Sequence, residues 1–107
     1  MASLVLLLST LGSQAQKVFS VEYESQADVK VFVVDYESRA DLSVFKEDYS
    51  SNAGKNDGHW FFTEYESQAE KTIYFVDYES QADVTIFFVE YSSRAEWNNR
   101  EKMHFFF

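Results

Sequence analysis

The hexapeptide Tyr23-Glu24-Ser25-Gln26-Ala27-Asp28 returns five times, as YESRAD at 36–41, YSSNAG at 49–54, YESQAE at 65–70, YESQAD at 78–83 and YSSRAE at 91–96. Tyr23, Tyr36 and Tyr49 stand thirteen residues apart, sixteen separate Tyr49 from Tyr65, and the step of thirteen resumes to Tyr78 and Tyr91. An offset of 42 lays Tyr23–Ala53 onto Tyr65–Ala95 without a gap. The chain is therefore a triplet duplicated, half one at 17–54 and half two at 59–107, with the extra residues in the Gly54–Trp60 connection. A unit this short cannot bury a core by itself, so the six must fold together.

Within each unit the hexapeptide reads as one helical turn between strands. Ser with Asp or Glu three residues on is a capping-box pattern, met by Ser25/Asp28, Ser38/Asp41, Ser67/Glu70, Ser80/Asp83 and Ser93/Glu96 but not by Ser51/Gly54. The repeated Ala suits a close passage of backbones. The repeated Tyr (Tyr23, Tyr36, Tyr65 and Tyr78 in the regular copies) suits a ring with a buried body and a bonded hydroxyl. The intervening runs, Lys17–Glu22, Val29–Asp35, Leu42–Asp48, His59–Glu64, Lys71–Asp77 and Val84–Glu90, are short and rich in Val, Ile, Phe and Thr, and predict strands. Met103–Phe107 is expected to be a seventh. Adjacent apolar pairs such as Val31-Phe32 and Ile86-Phe87 predict cover on both faces. Lys46 and Glu47 mark the third run as an exposed edge.

The tandem unit V-x-V-F-x-V-D-Y-E-S-x-A-D resembles the septoil-knot domain family, and the resemblance runs from Lys17 to the C-terminus. It implies a small, single-domain, mainly β fold whose chain is deeply knotted, which a repeat period by itself does not indicate. The duplication is compatible with that, because two similar halves winding round each other form a braid. The chain departs from the pattern at the third copy, the Gly54–Trp60 insertion and the Phe105-Phe106-Phe107 end.

Residues 1–15 differ from all that follows. They carry no charged side chain, have an apolar run from Leu4 to Leu8 extending to Leu11, and end in Ser13-Gln14-Ala15, small residues placed for signal-peptidase cleavage before Gln16. The competing readings are a buried first strand and a leader without order. Cleavage makes 16–107 the mature domain, secreted or periplasmic and without a membrane anchor. With no Cys, it uses neither disulfides nor a lipid anchor. Eleven Phe, seven Tyr and two Trp supply large buried areas to a chain of modest length, and the absence of Pro argues against disorder.

A net charge of −9 disfavours nucleic acid as a partner. Fifteen of the eighteen carboxylates occupy repeat positions, and a glycosidase pair needs two acids in unlike surroundings, so these acids read as architecture. His59 and His104 each precede an aromatic run; brought together they could bind a metal, but without an assigned third ligand they read as surface or strand-end histidines. No Cys nucleophile, phosphate loop, GxSxG or HExxH occurs, so neither an enzyme nor a cofactor is expected. The irregular stretches Gly54-Lys55-Asn56-Asp57-Gly58 and Trp97–Lys102 break the repeat at corresponding places. Lys55, Asn56, His59, Trp60, Trp97, Asn98, Asn99 and Arg100 are therefore the candidate ligand surface, against a plain role as connectors. The expected function is a monomeric, non-enzymatic secreted structural or interaction module. The alternative is a secreted binder of a cation or carbohydrate.

Overall fold

The computed structural model describes residues 16–49 and 56–107. The expectations for the leader at 1–15, for Lys55 and for the turn of the third copy lie outside the described residues. The apolar runs form six parallel strands: β1 (Gln16–Ser20), β2 (Val29–Val33), β3 (Leu42–Lys46), β4 (His59–Phe62), β5 (Lys71–Phe75) and β6 (Val84–Phe88). They lie in the order β4-β1-β5-β2-β6-β3, and β3 pairs back onto β4 to close a barrel. A two-residue β7 (Glu96–Trp97) adds to β3 in the antiparallel sense. Every one of these pairings joins a strand of one half to a strand of the other.

The register explains the length of the repeat. Ser20 and Val29, the end of β1 and the start of β2, both pair with Ile73 of β5, one from each side. Val33 and Leu42 flank Ile86 in the same way, Phe62 and Lys71 flank Val18, and Phe75 and Val84 flank Val31. Each connection therefore has to hop over one strand only, about 10 Å. Eight residues, such as 21–28, accomplish this, where parallel crossovers usually take a dozen or more. Each strand advances two residues on its neighbour, which tilts the strands steeply about the barrel axis.

The hop is visible in the backbone bonds. Val21 N–H donates to Ile73 O and Asp28 N–H to Thr72 O, both at 2.9 Å, so the chain between them arches over the outward face of β5. Equivalent pairs carry 34–41 over β6, 63–70 over β1 and 76–83 over β2. Each arch contains a single 3-10 turn, at Glu24–Gln26, Glu37–Arg39, Glu66–Gln68, Glu79–Gln81 and Ser92–Arg94. Both halves are laid over strands of the other.

Inside, the third residue of each five-residue strand and the second of β4 fill the centre. Val18, Val31, Val44, Trp60, Ile73 and Ile86 are all essentially inaccessible and form one cluster. The next residues, Phe19, Phe32, Phe45, Phe61, Tyr74 and Phe87, alternate outward and are half-covered, so the adjacent pairs do occupy both faces. Two expectations are corrected. The third run is no edge, since β3 has β6 and β4 on its two sides; Lys46 instead stacks its ammonium 4.8 Å from the Phe88 ring and 5.6 Å from that of Phe62. Met103–Phe107 is not a strand, because it belongs to a 3-10 helix, Arg100–Phe106, that seats Phe106 in the core, its ring centroid 5.3 Å from Trp60 and 6.1 Å from Trp97. A strand there would have turned alternate Phe rings away from the barrel.

Two outcomes follow from this packing. Phe106→Ala should lose about 3–5 kcal/mol in a denaturant titration, as for other buried aromatics, while Phe107→Ala, at an exposed ring, should change little. Refolding followed by Trp60 and Trp97 fluorescence should show a phase of seconds or longer that is independent of protein concentration, because distant segments must be laid over one another in order. With neither Pro nor Cys in the chain, isomerisation and disulfide exchange cannot supply such a phase.

Candidate functional site

The capping-box reading fails at every described copy, and the geometry shows what replaces it. The residue that precedes each turn is Tyr, with no side-chain cap, and Ser lies inside the turn, exposed. The acid, one residue beyond Ala, has already left the turn in an extended conformation and faces the strand being crossed. Asp28 Oδ2 accepts from Thr72 N–H at 3.0 Å, Asp41 Oδ2 from Thr85 N–H at 2.9 Å and Asp83 Oδ2 from Lys30 N–H at 2.9 Å. Thr72 and Thr85 complete the clasp: their hydroxyls donate to Gln26 O and Arg39 O and accept from Asp28 and Asp41 N–H. These carboxylates join the two halves, so they are committed to structure. Glu70, at the same repeat position, contributes through its backbone N–H to Lys17 O at 2.7 Å.

Neighbouring arches are also linked. Arg39 donates to Glu79 at 2.7 Å, and Arg94 pairs with Glu37, so three arches round the barrel are tied in a row. These pairs are exposed and add little stability.

The irregular stretches do meet, but as a closure. Trp97 Nε1 donates to both the backbone and side-chain oxygens of Asn56, at 3.0 and 3.1 Å, and Asn56 Nδ2 donates to Met103 O. Asn98 Nδ2 donates to Ala40 O and Ser43 Oγ, and Asn99 Nδ2 to Asp41 Oδ1. Asn99 Oδ1 also caps the last helix through Glu101 N–H, and Arg100 projects from its first turn, exposed. Gly58 is needed here: at φ +95°, a Cβ would lie 2.5 Å from Ser43 O. Trp60 and Trp97, offered by the sequence as a ligand surface, are core residues, 1 % and 7 % exposed. Both rings face inward beside polar neighbours, Glu96 and Asn98 at Trp97 and His59 at Trp60.

The two histidines stay apart in role. His59 Nδ1 lies 2.7 Å from Glu47 Oε2 beside the β3–β4 seam, and His104 Nδ1 meets Glu101 O while its ring lies 4.3 Å from Phe105. Among the described residues, no group of three His, Cys, Asp or Glu could hold a metal ion. An open depression of about 630 Å³ is lined by Lys46, Phe61, Phe62, Glu64 and Tyr65 among others.

The sequence misjudged its most repeated residue. Tyr23, Tyr36, Tyr49, Tyr65, Tyr78 and Tyr91 are 62–68 % exposed. By the second residue of the arch the chain has left the sheet, so the buried place falls to the residue two before Tyr, as in Val21, Val34, Val76 and Val89. The result is a belt of aromatic rings on the barrel's outside, each between acids: Glu22 and Glu24, Asp35 and Glu37, Glu64 and Glu66, Asp77 and Glu79, with a single preceding acid at Tyr49 and Tyr91. The recurrence was the available signal. It was read as packing when it marked a surface.

A closed parallel barrel in which every pairing and every arch runs between two duplicated halves is an interlaced repeat fold. The chain belongs to the 7(1) septoil knot domain family, which matches residues 15–98. The helix that seats Phe106 follows the matched segment. No curated protein and no solved structure matches the chain.

The clasp is tested by pairs of substitutions. Asp41→Ala should cost about 1–3 kcal/mol by leaving the Thr85 N–H without its carboxylate, whereas Ser38→Ala, at an exposed turn residue, should stay within about 0.5 kcal/mol. Urea titrations of the two variants against the parent chain measure the contrast.

Proposed function

We propose that the protein is a non-enzymatic, secreted interaction module whose tyrosine belt receives a cationic polypeptide. The observation that carries this is the exposure of six equivalent Tyr rings, each adjacent in sequence to at least one acidic residue, on a scaffold of net charge −9. An aromatic face attracts Lys or Arg through its quadrupole, by about 0.5–1 kcal/mol at an exposed site. Carboxylates alongside add long-range attraction that salt screens. Six such units give a multivalent surface on which weak contacts combine.

Export is part of the same reading. Its support is the leader pattern ending at Ala15 and the start of the family match at residue 15. Among the described residues no helix is long and apolar enough to cross a membrane.

The test is titration of the purified domain with an arginine-rich peptide, read by calorimetry at low and high salt. Binding should weaken at least about tenfold at high salt, and Tyr36→Ala with Tyr78→Ala should weaken it further while leaving the thermal midpoint unchanged. Binding indifferent to both changes overturns the proposal. A thermal shift with neutral glycans or divalent ions, in the absence of peptide binding, selects the cation- or carbohydrate-binding alternative instead.

A further inference from the structure

Two grooves between neighbouring arches can be compared residue by residue. One, about 220 Å³, has Phe87, Phe88, Glu90, Tyr91 and Arg94 on one wall and Glu37 of the 34–41 arch on the other. The second is the depression of about 630 Å³, whose wall from β4 and the 63–70 arch carries Phe61, Phe62, Glu64, Tyr65 and Gln68. Each of these stands 26 positions, two repeats, before its counterpart. Phe, Phe, Glu and Tyr are identical, and only Arg94 has been exchanged, for Gln68.

In the smaller groove the chain itself shows what such a wall holds. Arg94 pairs with Glu37, whose second oxygen accepts from Ser43 Oγ at 3.3 Å. Arg39 and Glu79 repeat the relation one arch further round. In the larger groove Gln68 brings no charge, and the facing segment adds Glu47 and Asp48 to Glu64. Glu47 is engaged by His59, and the Lys46 ammonium by the rings of Phe62 and Phe88. Among the described residues no Lys or Arg pairs with Asp48 or Glu64, both exposed. Aromatic rings beside open carboxylates suit a flat cation that stacks on a ring and forks onto oxygens, which a guanidinium does and an ammonium does not.

We infer that this groove, between the start of the β3–β4 connection and the 63–70 arch, receives an arginine side chain of a bound polypeptide, in the place that Arg94 takes in the counterpart groove. The inference rests on the reading of the tyrosine belt as a surface for a cationic polypeptide, and adds which side chain is singled out and where.

The test compares Gln68→Arg with Gln81→Arg in calorimetric titrations with the arginine-rich peptide. Both add one positive charge at an exposed turn position, but the 76–83 arch crosses β2, on the opposite side of the barrel from β4. Gln68→Arg supplies the guanidinium that Arg94 supplies in the counterpart, so it should bind the peptide about fivefold more weakly than Gln81→Arg does, the worth of one such contact. A lysine-rich peptide of equal length and charge should not separate the two variants. Equal weakening of the arginine-rich peptide by both variants overturns the groove while the belt stands. A lysine-rich peptide that separates them to the same extent overturns the choice of arginine. No binding by the parent chain overturns the belt reading and the groove with it. Should Gln68→Arg not fold, Gln68→Lys against Gln81→Lys makes the same comparison with a slimmer cation.

Discussion

The two-residue stagger between neighbouring strands is the constraint on which the rest depends. It places the end of one strand and the start of the next on either side of a single residue of the other half, as Ser20 and Val29 lie about Ile73. Because the gap is one strand wide, the connection can be eight residues, and five strand residues with eight in the arch give the period of thirteen. Each arch then has to pass over a strand that belongs to the opposite half. Interlacing is thus a consequence of register, and among the described residues neither half has a strand pairing of its own to hold it together.

That arrangement explains why carboxylates, and not hydroxyl caps, fasten the turns. An arch that lands beside a strand leaves outward backbone N–H groups at Thr72, Thr85 and Lys30 in need of acceptors, and the Asp at the landing point is the nearest side chain with the right length. The barrel's ends are closed less uniformly. At the end where the strands finish, half two supplies Phe62, Phe75 and Phe88 packed on the core, while half one supplies Ser20, Val33 and Lys46. At the other, Phe106 enters between Trp60 and Trp97, and Asn56 ties both approaches together. A duplicated sequence therefore builds a core whose two halves contribute unequally.

Much of this was legible in the residues. Val, Ile and Phe at fixed places in a thirteen-residue unit located the strands to within a few residues, and the family resemblance supplied the class of fold. The failures share one cause. Hydrophobic pattern reports that a residue is apolar, but not which side of a barrel it faces or whether a strand edge is covered by a distant segment. Lys46 and Glu47 looked like edge residues because their partners, Phe88 and His59, lie more than ten positions away in sequence. Ser and Asp looked like a local cap for the same reason: Asp41 reaches Thr85, 44 residues on, and nothing within the hexapeptide signals it. Trp60 and Trp97 stood beside Asn, His and Arg, and only the closure of the barrel turns them inward.

The tyrosine belt is of a different kind. Duplication copies every position at once, so recurrence alone does not separate a required residue from an inherited one. Two other positions of the same arch have drifted among the copies: the residue three after Tyr is Gln, Arg, Asn, Gln, Gln and Arg, and the residue following Tyr is Glu in four copies and Ser in two, whereas the small Ser two after Tyr is kept in all six. Interior positions have stayed apolar while differing in size, from Val to Ile to Trp at the barrel centre. Tyr has not changed in any of the six, although at 62–68 % exposure core packing does not require an aromatic there. A large apolar ring held constant at a solvated place is what the proposed contact from outside requires, and the acids adjacent to it in sequence would fix the sign of charge that such a contact carries.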